Sequence, residues 1–292
     1  MLDFPEFIRL PVRDAIDAAM SWLLQNLSGF FDAIGWVILQ VMNLFENLFT
    51  IIPWFVLIIA VFFAAWRLMK KLRTAIMLSV MLLLIGTFGY WEMAMQTLSL
   101  VSAAVLFSLL IGVPTGIAMA QSDRTESIVK PLLDGMQTMP SFVYLIPALM
   151  FFGLGKVPAI IATIIYAVPP VIRLTNVGIR TVDKEVVEAA KAFGAEKKQV
   201  LWDVQLPLAR PSIMVGINQT TMMALAMVVI GSMIGARGLG MEVLLSINRI
   251  EVGRGFEAGL SIVFLAIVID RLTFAVSKAS NKSGDKNSGK ES

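Results

Sequence analysis

Seven apolar runs, near residues 51–67, 74–92, 97–121, 138–154, 156–174, 212–236 and 257–277, alternate with short segments that hold most of the charge. About 20 apolar residues cross a bilayer as a helix, and lipid offers no water to satisfy an open sheet edge or irregular backbone. The pattern predicts an all-α membrane protein, a polytopic helical bundle of about seven transmembrane helices. Hydrophobic residues make up 57% of the 292 and charged residues only 15%, which suits such a bundle and not a soluble core. Pro140 and Pro147 interrupt the fourth run and Pro158, Pro169 and Pro170 the fifth, with Gly153 and Gly155 between them. Those two helices are expected to be kinked or incomplete and to face other helices or a cavity.

Residues 1–50 read differently. From residue 12 the apolar positions Ile16, Met20, Leu23, Leu27, Phe30, Ile34, Val37, Val41, Leu44 and Leu48 are interleaved with Asp17, Asn26, Asp32, Asn43 and Glu46. This is an amphipathic helix or helix pair, broken near Gly29 or Gly35, expected at the outer membrane interface as a brace for the bundle. A coiled-coil partner helix is the alternative. Asp3 and Glu6 come early and no continuous apolar stretch follows, so a cleaved signal peptide is not expected. Residues 51–277 form the transmembrane domain, and 278–292, rich in Ser, Gly and Lys, are expected to be a disordered cytoplasmic tail.

Eighteen of the 24 Lys and Arg residues fall in alternate connections: Arg67 to Arg73, Arg124 and Lys130, Arg173 to Arg210, and Arg271 to Lys290. The positive-inside rule then sets the N-terminus outside and the C-terminus in the cytoplasm. It also places the loop around Glu188 in the cytoplasm. The modest net charge of +3 is explained by this topology, and no nucleic acid is expected as a partner.

The chain has no Cys and no His, so thiol chemistry, the commonest metal ligands and the commonest general base are missing. No catalytic residue, metal site or cofactor is expected. Gly153-Leu154-Gly155-Lys156 resembles the end of a phosphate loop, but Met150 occupies the first glycine position and Val157 that of the magnesium-binding hydroxyl. It reads as a turn. The runs 97–121 and 212–236 hold no acidic residue, whereas ion-coupled carriers commonly need one near the midplane. Energy is therefore expected from outside the chain.

Polar character within a span is concentrated at Asn218, Gln219, Thr220 and Thr221, a candidate lining for a translocation path that interhelical hydrogen bonding explains equally well. Phe142, Tyr144 and Tyr166 in the kinked runs are aromatic candidates for contact with a solute, with packing as the alternative. Gly112-Val113-Pro114-Thr115-Gly116 and Gly231 to Gly235 are small-residue patterns that permit close helix approach.

The insert Val187–Pro207, VEAAKAFGAEKKQVLWDVQLP, is polar between two apolar runs. Asp183 to Phe193 scans as a short amphipathic helix, Gly194 stops it, and Ala195 begins a second helix closed by Pro207 and Pro211. The result is a helix-turn-helix knob. The spacing Glu188-Ala189-Ala190, three residues, Gly194, nine residues, Val204-Gln205-Leu206-Pro207 resembles the EAA loop, about 181–211 here, of ABC importer permeases. Val204 stands where that family more often has isoleucine. Met136 to Ser141, Tyr166 to Arg173 and Gly235 to Gly240 resemble, more narrowly, the glycine betaine/proline betaine permease family.

That resemblance implies a type I ABC importer permease fold and a bacterial inner-membrane location. It implies uptake of compatible solutes, such as glycine betaine, under osmotic stress. The implied partners are a second permease copy, two ATPase subunits that carry ATP and Mg, an external solute-binding protein, and membrane lipid. It gives Glu188, Ala189, Ala190, Gly194, Leu206 and Pro207 the role of contacting the ATPase. A permease for choline, carnitine or an amino acid, and an ion-coupled carrier, are the competing readings.

Overall fold

In the computed structural model, which describes residues 12–288, every regular element is helical among the described residues. In chain order these are α1 (Val12–Ile51), α2 (Trp54–Met69), α3 (Leu72–Thr87), α4 (Trp91–Gln121) and α5 (Asp123–Thr138). A 3-10 turn (Ser141–Tyr144) leads into α6 (Leu145–Phe152) and α7 (Lys156–Arg180). Next come α8 (Lys184–Ala192), α9 (Lys197–Ser232), α10 (Leu239–Arg249) and α11 (Val252–Ser288). Residues 1–11 and 289–292, at the two ends of the predicted extension and tail, lie outside the described residues.

The bundle is organised around α7, which α4 and α9 grip from two sides. Small residues make this possible. A Cβ on Gly112 would come within 2.4 Å of Val171 Cγ1, and one on Gly116 within 2.7 Å of the Ile172 carbonyl. On the other side, Gly216 abuts Leu174 and the Val171 backbone, while Gly178 of α7 abuts Ser212 and Ala209. Close backbone approach lets dispersion hold helices together where lipid offers no hydrophobic driving force. The Gly112 and Gly116 pattern is thus a packing device.

The fourth run does not cross as one helix. The α5 axis and the Ser141–Phe152 segment meet at 109°, with Met139 and Pro140 in extended backbone between them. Pro140 restricts the preceding residue away from helical geometry, which accounts for the bend. The fifth run, by contrast, is continuous: α7 is helical through Pro169 and Pro170, both buried. Packing on both flanks holds the turn whose hydrogen bonds those prolines cannot make.

α1, α4, α7, α9 and α11 are each long and apolar enough to cross a membrane, and α2 and α3 are shorter apolar helices. α1 is bent at Leu27, close to the expected break at Gly29, and sets Ile38 and Met42 against Leu100, Ala103 and Ala104 of α4. Lys156 at the start of α7 donates to Glu46 of α1 at 2.6 Å, pinning α1 to the bundle. The α11 backbone is helical to Ser288, through the first part of the stretch from Lys278 expected as a disordered tail. No proline follows Pro211 to break the helix, so the polar stretch can prolong it.

Two glycine turns meet at the end of the bundle where α7 begins. Gly153 and Gly155 have φ of +70° and +128°, and the Gly155 amide donates to the Ile234 carbonyl at 2.8 Å beside Gly235. The Gly153–Lys156 stretch is a turn. After Gly238 the chain continues as α10, whose Leu239 amide donates to the Thr97 hydroxyl at 2.9 Å. α10 carries Glu242, 5% exposed, which accepts from Arg254 at 2.8 and 2.5 Å.

Candidate coupling surface and polar path

At the opposite end, α7 and α9 are joined by the charged insert. Asp183 accepts from the Glu185 amide at 2.9 Å and caps α8, the usual use of a short acidic side chain at a helix start. α8 buries none of its residues. It ends in a Schellman arrangement: the Gly194 amide donates to the Lys191 carbonyl at 2.9 Å and the Ala195 amide to the Ala190 carbonyl at 3.1 Å, with Gly194 at φ +88°. Glu196 then begins α9 with a capping box, its amide accepted by Gln199 Oε1 at 2.8 Å. The predicted helix, glycine stop and second helix are all present.

The second helix does not close at Pro207. α9 continues from Lys197 through a π-helical stretch, Val200–Gln205, into the apolar run, with Pro207 inside the helix just past that wide turn. A π-turn shifts the hydrogen-bond register, and one residue without an N–H is accommodated at the join. Leu201 and Ala209 bury against Ile179, with Leu206, Val182 and Ile117 packed around them. The knob is therefore seated on α4 and α7 while its tip stays in solvent.

Glu188, Ala189, Gly194 and Pro207 are exposed, Ala190 and Leu206 partly buried. Sequence reasoning passed over the side chain that stands out most, Phe193, which is 93% exposed at the end of α8, with Trp202 57% exposed nearby in sequence. An aromatic placed immediately before the helix-stopping glycine, where the next turn offers no core, was the available signal.

Beneath the knob lies an ionic lattice that the sequence did not announce. Arg180, the last residue of α7, donates to Asp123 Oδ1 at 2.7 Å, to Asn176 Oδ1 at 3.0 Å and to the Met119 carbonyl at 2.7 Å, and lies 3.2 Å from Glu126. Asn176 also donates to Glu126, and one α7 turn-pair earlier Arg173 bonds Asp134 at 2.5 Å. One guanidinium thus ties α4, α5 and α7 together just before the insert. The only trace in the sequence is that Arg173 and Arg180 are seven residues apart, on one face of α7.

The polar candidates are not gathered into one lining. Asn218 donates to Asp270 of α11 at 3.0 Å, Thr221 donates to its own helix at the Ile217 carbonyl, and Thr220 is fully buried with its hydroxyl unpaired among the described residues. Gln219 is exposed. Phe142 is 57% exposed, whereas Tyr144 is buried and its hydroxyl donates to the Met136 carbonyl, bracing the bend between α5 and α6. Tyr144 and Tyr166 adjoin, their ring centroids 6.5 Å apart. Asp270 was missed because it sits at the end of its run, next to Arg271, and read as interfacial charge.

Residues 112–282 match the family model described as the binding-protein-dependent transport system inner membrane component. The chain is 48% identical over 277 residues to the glycine betaine/carnitine transport permease of Listeria monocytogenes, covering 94% of this chain and 98% of that protein. It is 43% identical to the glycine betaine/proline betaine permease of Escherichia coli, covering 95% of this chain and 78% of that one. Its fold matches a chain in inward-facing crystal structures of the MetNI methionine ABC transporter, with a TM-score of 0.58, 20% identity, and coverage of 63% of this chain and 93% of that one. The fold is thus that of a type I importer permease, and family membership implies a multi-pass inner-membrane component that works with an ATPase and a binding protein. The chain belongs to the family of binding-protein-dependent transport system inner membrane components.

Proposed function

We propose that this chain is the permease of an importer for glycine betaine or a closely related quaternary amine, used in osmoprotection. The observation that carries the substrate is the identity of 48% across nearly the whole of a glycine betaine/carnitine permease. The working unit is a homodimer of this chain with two ATPase subunits on the cytoplasmic face and a solute-binding protein outside. ATP and Mg are bound by the ATPase, and the cage that selects a quaternary amine belongs to the binding protein. The chain crosses so that the knob, the Arg180 lattice and the end of α11 face the cytoplasm, while α10 faces out. The N-terminus lies outside, with α1 along the outer interface.

Coupling runs through the knob. ATP binding closes the ATPase pair, whose grooves engage α8 around Glu188, Ala189, Ala190 and Phe193, with Gly194 fixing the angle to α9 and Leu206 and Pro207 lying where α9 seats on the bundle. The seat of Leu201 and Ala209 on Ile179 passes that displacement to α7, and the Arg180 lattice carries α4 and α5 with it. A packed, ion-paired block of this kind moves as a unit, so the spans rock between inward-facing and outward-facing states. Asn218, Gln219, Thr220, Thr221, Phe142 and Tyr166 are candidates for the path so opened, with Tyr144 bracing its wall.

The test is uptake of labelled glycine betaine by vesicles holding the permease, ATPase and binding protein, with competition by choline, carnitine and proline. Uptake that requires internal ATP and is unaffected by collapse of ion gradients is the expected result. Uptake that persists without ATP and fails with the gradient would instead make the chain a carrier.

A further inference from the structure

Where α2 turns into α3, beside α11, the structure holds a pocket of about 750 Å³ lined by Arg67, Lys70, Lys71 and Arg271 together with apolar side chains that include Met77 and Phe274. We propose that it is a binding site for the headgroup of an anionic phospholipid, whose acyl chains run along the apolar wall.

Charge is the first argument. Four cationic side chains converge on one concavity and no carboxylate lines it. Among the described side chains, no Asp or Glu lies within ion-pair distance of Arg67, Lys70 or Lys71, and the Arg271 contact to Asp270 is a loose 4.0 Å. Asp270 is already held by Asn218. Crowding like charges without a counter-ion is unfavourable unless an anion neutralises them.

The backbone is arranged to the same end. Lys70 closes α2 in the left-handed region at φ 55°, so the chain reverses within two residues and brings Lys70 and Lys71 to the mouth of the pocket. Lys71 caps α3 without a side-chain acceptor, and the first turn of α3 has no acidic residue to offset its positive end.

The wall decides between a lipid and a free anion. Leu68, Met69, Met77, Phe274 and Ala275 line the same space as the cations. A soluble phosphate would leave that surface wet, whereas a phospholipid satisfies both parts at once. Basic pockets between spans are the usual form of anionic-lipid recognition.

The full-length chain, purified in mild detergent, is titrated with phosphatidylglycerol and with phosphatidylcholine, and bound lipid is counted by native mass spectrometry. One tightly held phosphatidylglycerol, preferred over phosphatidylcholine, is expected. Combined Arg67→Gln, Lys70→Gln and Lys71→Gln should weaken it about a hundredfold, while Lys70→Arg with Lys71→Arg should retain it. Met77→Trp, which narrows the pocket along its apolar wall and keeps its charge, should also weaken phosphatidylglycerol binding, and it carries the test should the triple variant misfold. Equal binding of both lipids, unchanged binding in Met77→Trp, or displacement by millimolar inorganic phosphate would overturn the assignment.

Discussion

The Ala195 amide donates to the Ala190 carbonyl at 3.1 Å, across Gly194 at φ +88°, so the angle between α8 and α9 is fixed by a backbone state that suits glycine. Nothing lies within 4 Å of a Cβ built on Gly194. The constraint there is conformational and not steric.

Gly194→Val should therefore cost roughly 1–2 kcal/mol at the turn, while leaving the bundle intact. Uptake should fall sharply with membrane levels unchanged, and Gly194→Asn, which tolerates the left-handed state, should retain more activity than Gly194→Val. Equal uptake in all three would remove the turn from the coupling path.

Glu188 is exposed and makes no ion pair among the described residues, so Glu188→Lys should change stability by no more than about 0.5 kcal/mol. Its effect should appear only with the ATPase present, as weakened association in pull-down and reduced transport. Loss of thermal stability in the isolated chain would assign Glu188 a structural role instead.

Gly116→Val places a branched side chain where a Cβ alone would be 2.6 Å from Thr175 Cβ and 2.7 Å from the Ile172 carbonyl. Overpacking of this kind costs about 1–3 kcal/mol or more. Melting of the detergent-solubilised protein should drop by several degrees, while Gly29→Val, where no atom lies within 4 Å, should melt as wild type.

Arg180→Ala strands the partly buried Glu126, returns the 91% exposed Asp123 to solvent and frees α5 from α7. A loss of about 1–3 kcal/mol is expected, given that the arginine side chain is 31% exposed. Arg180→Lys should recover stability in part but not transport, because one ammonium cannot reach Asp123, Asn176 and the Met119 carbonyl in the same planar fork.

A Cys introduced at Ser21 reports which side of the membrane the start of α1 occupies. Labelling by an impermeant maleimide added outside intact cells is the outcome consistent with α1 at the outer interface. Protection until the membrane is opened would mean that α1 crosses, as its length and hydropathy allow.

The knob was legible in the sequence because its determinants are local: Asp183 as cap, Gly194 as stop, and a polar face at helical spacing. The apolar runs gave the helices for the same reason. Contacts between distant residues left no such trace. Arg180 and Asp123 are 57 positions apart, and nothing local distinguishes their pairing from ordinary surface charge. The prolines show why local rules fell short in one place and held in another. Pro140 bends the chain at an exposed junction, whereas Pro169 and Pro170 are overruled by burial between α4 and α9. Tyr144 was set beside the path by its neighbours in sequence, but its hydroxyl is spent on Met136.

The coupling account rests on α8 touching an ATPase, and the absence of native Cys makes that contact directly measurable. Ala192→Cys, exposed one residue before Phe193, is crosslinked in membranes of cells that express the whole transporter, and the captured chain is identified by mass spectrometry. Capture of the ATPase subunit, reduced when Phe193→Ala is added, is the predicted result. An Ala192→Cys that is labelled from the cytoplasm yet captures no ATPase would contradict the account.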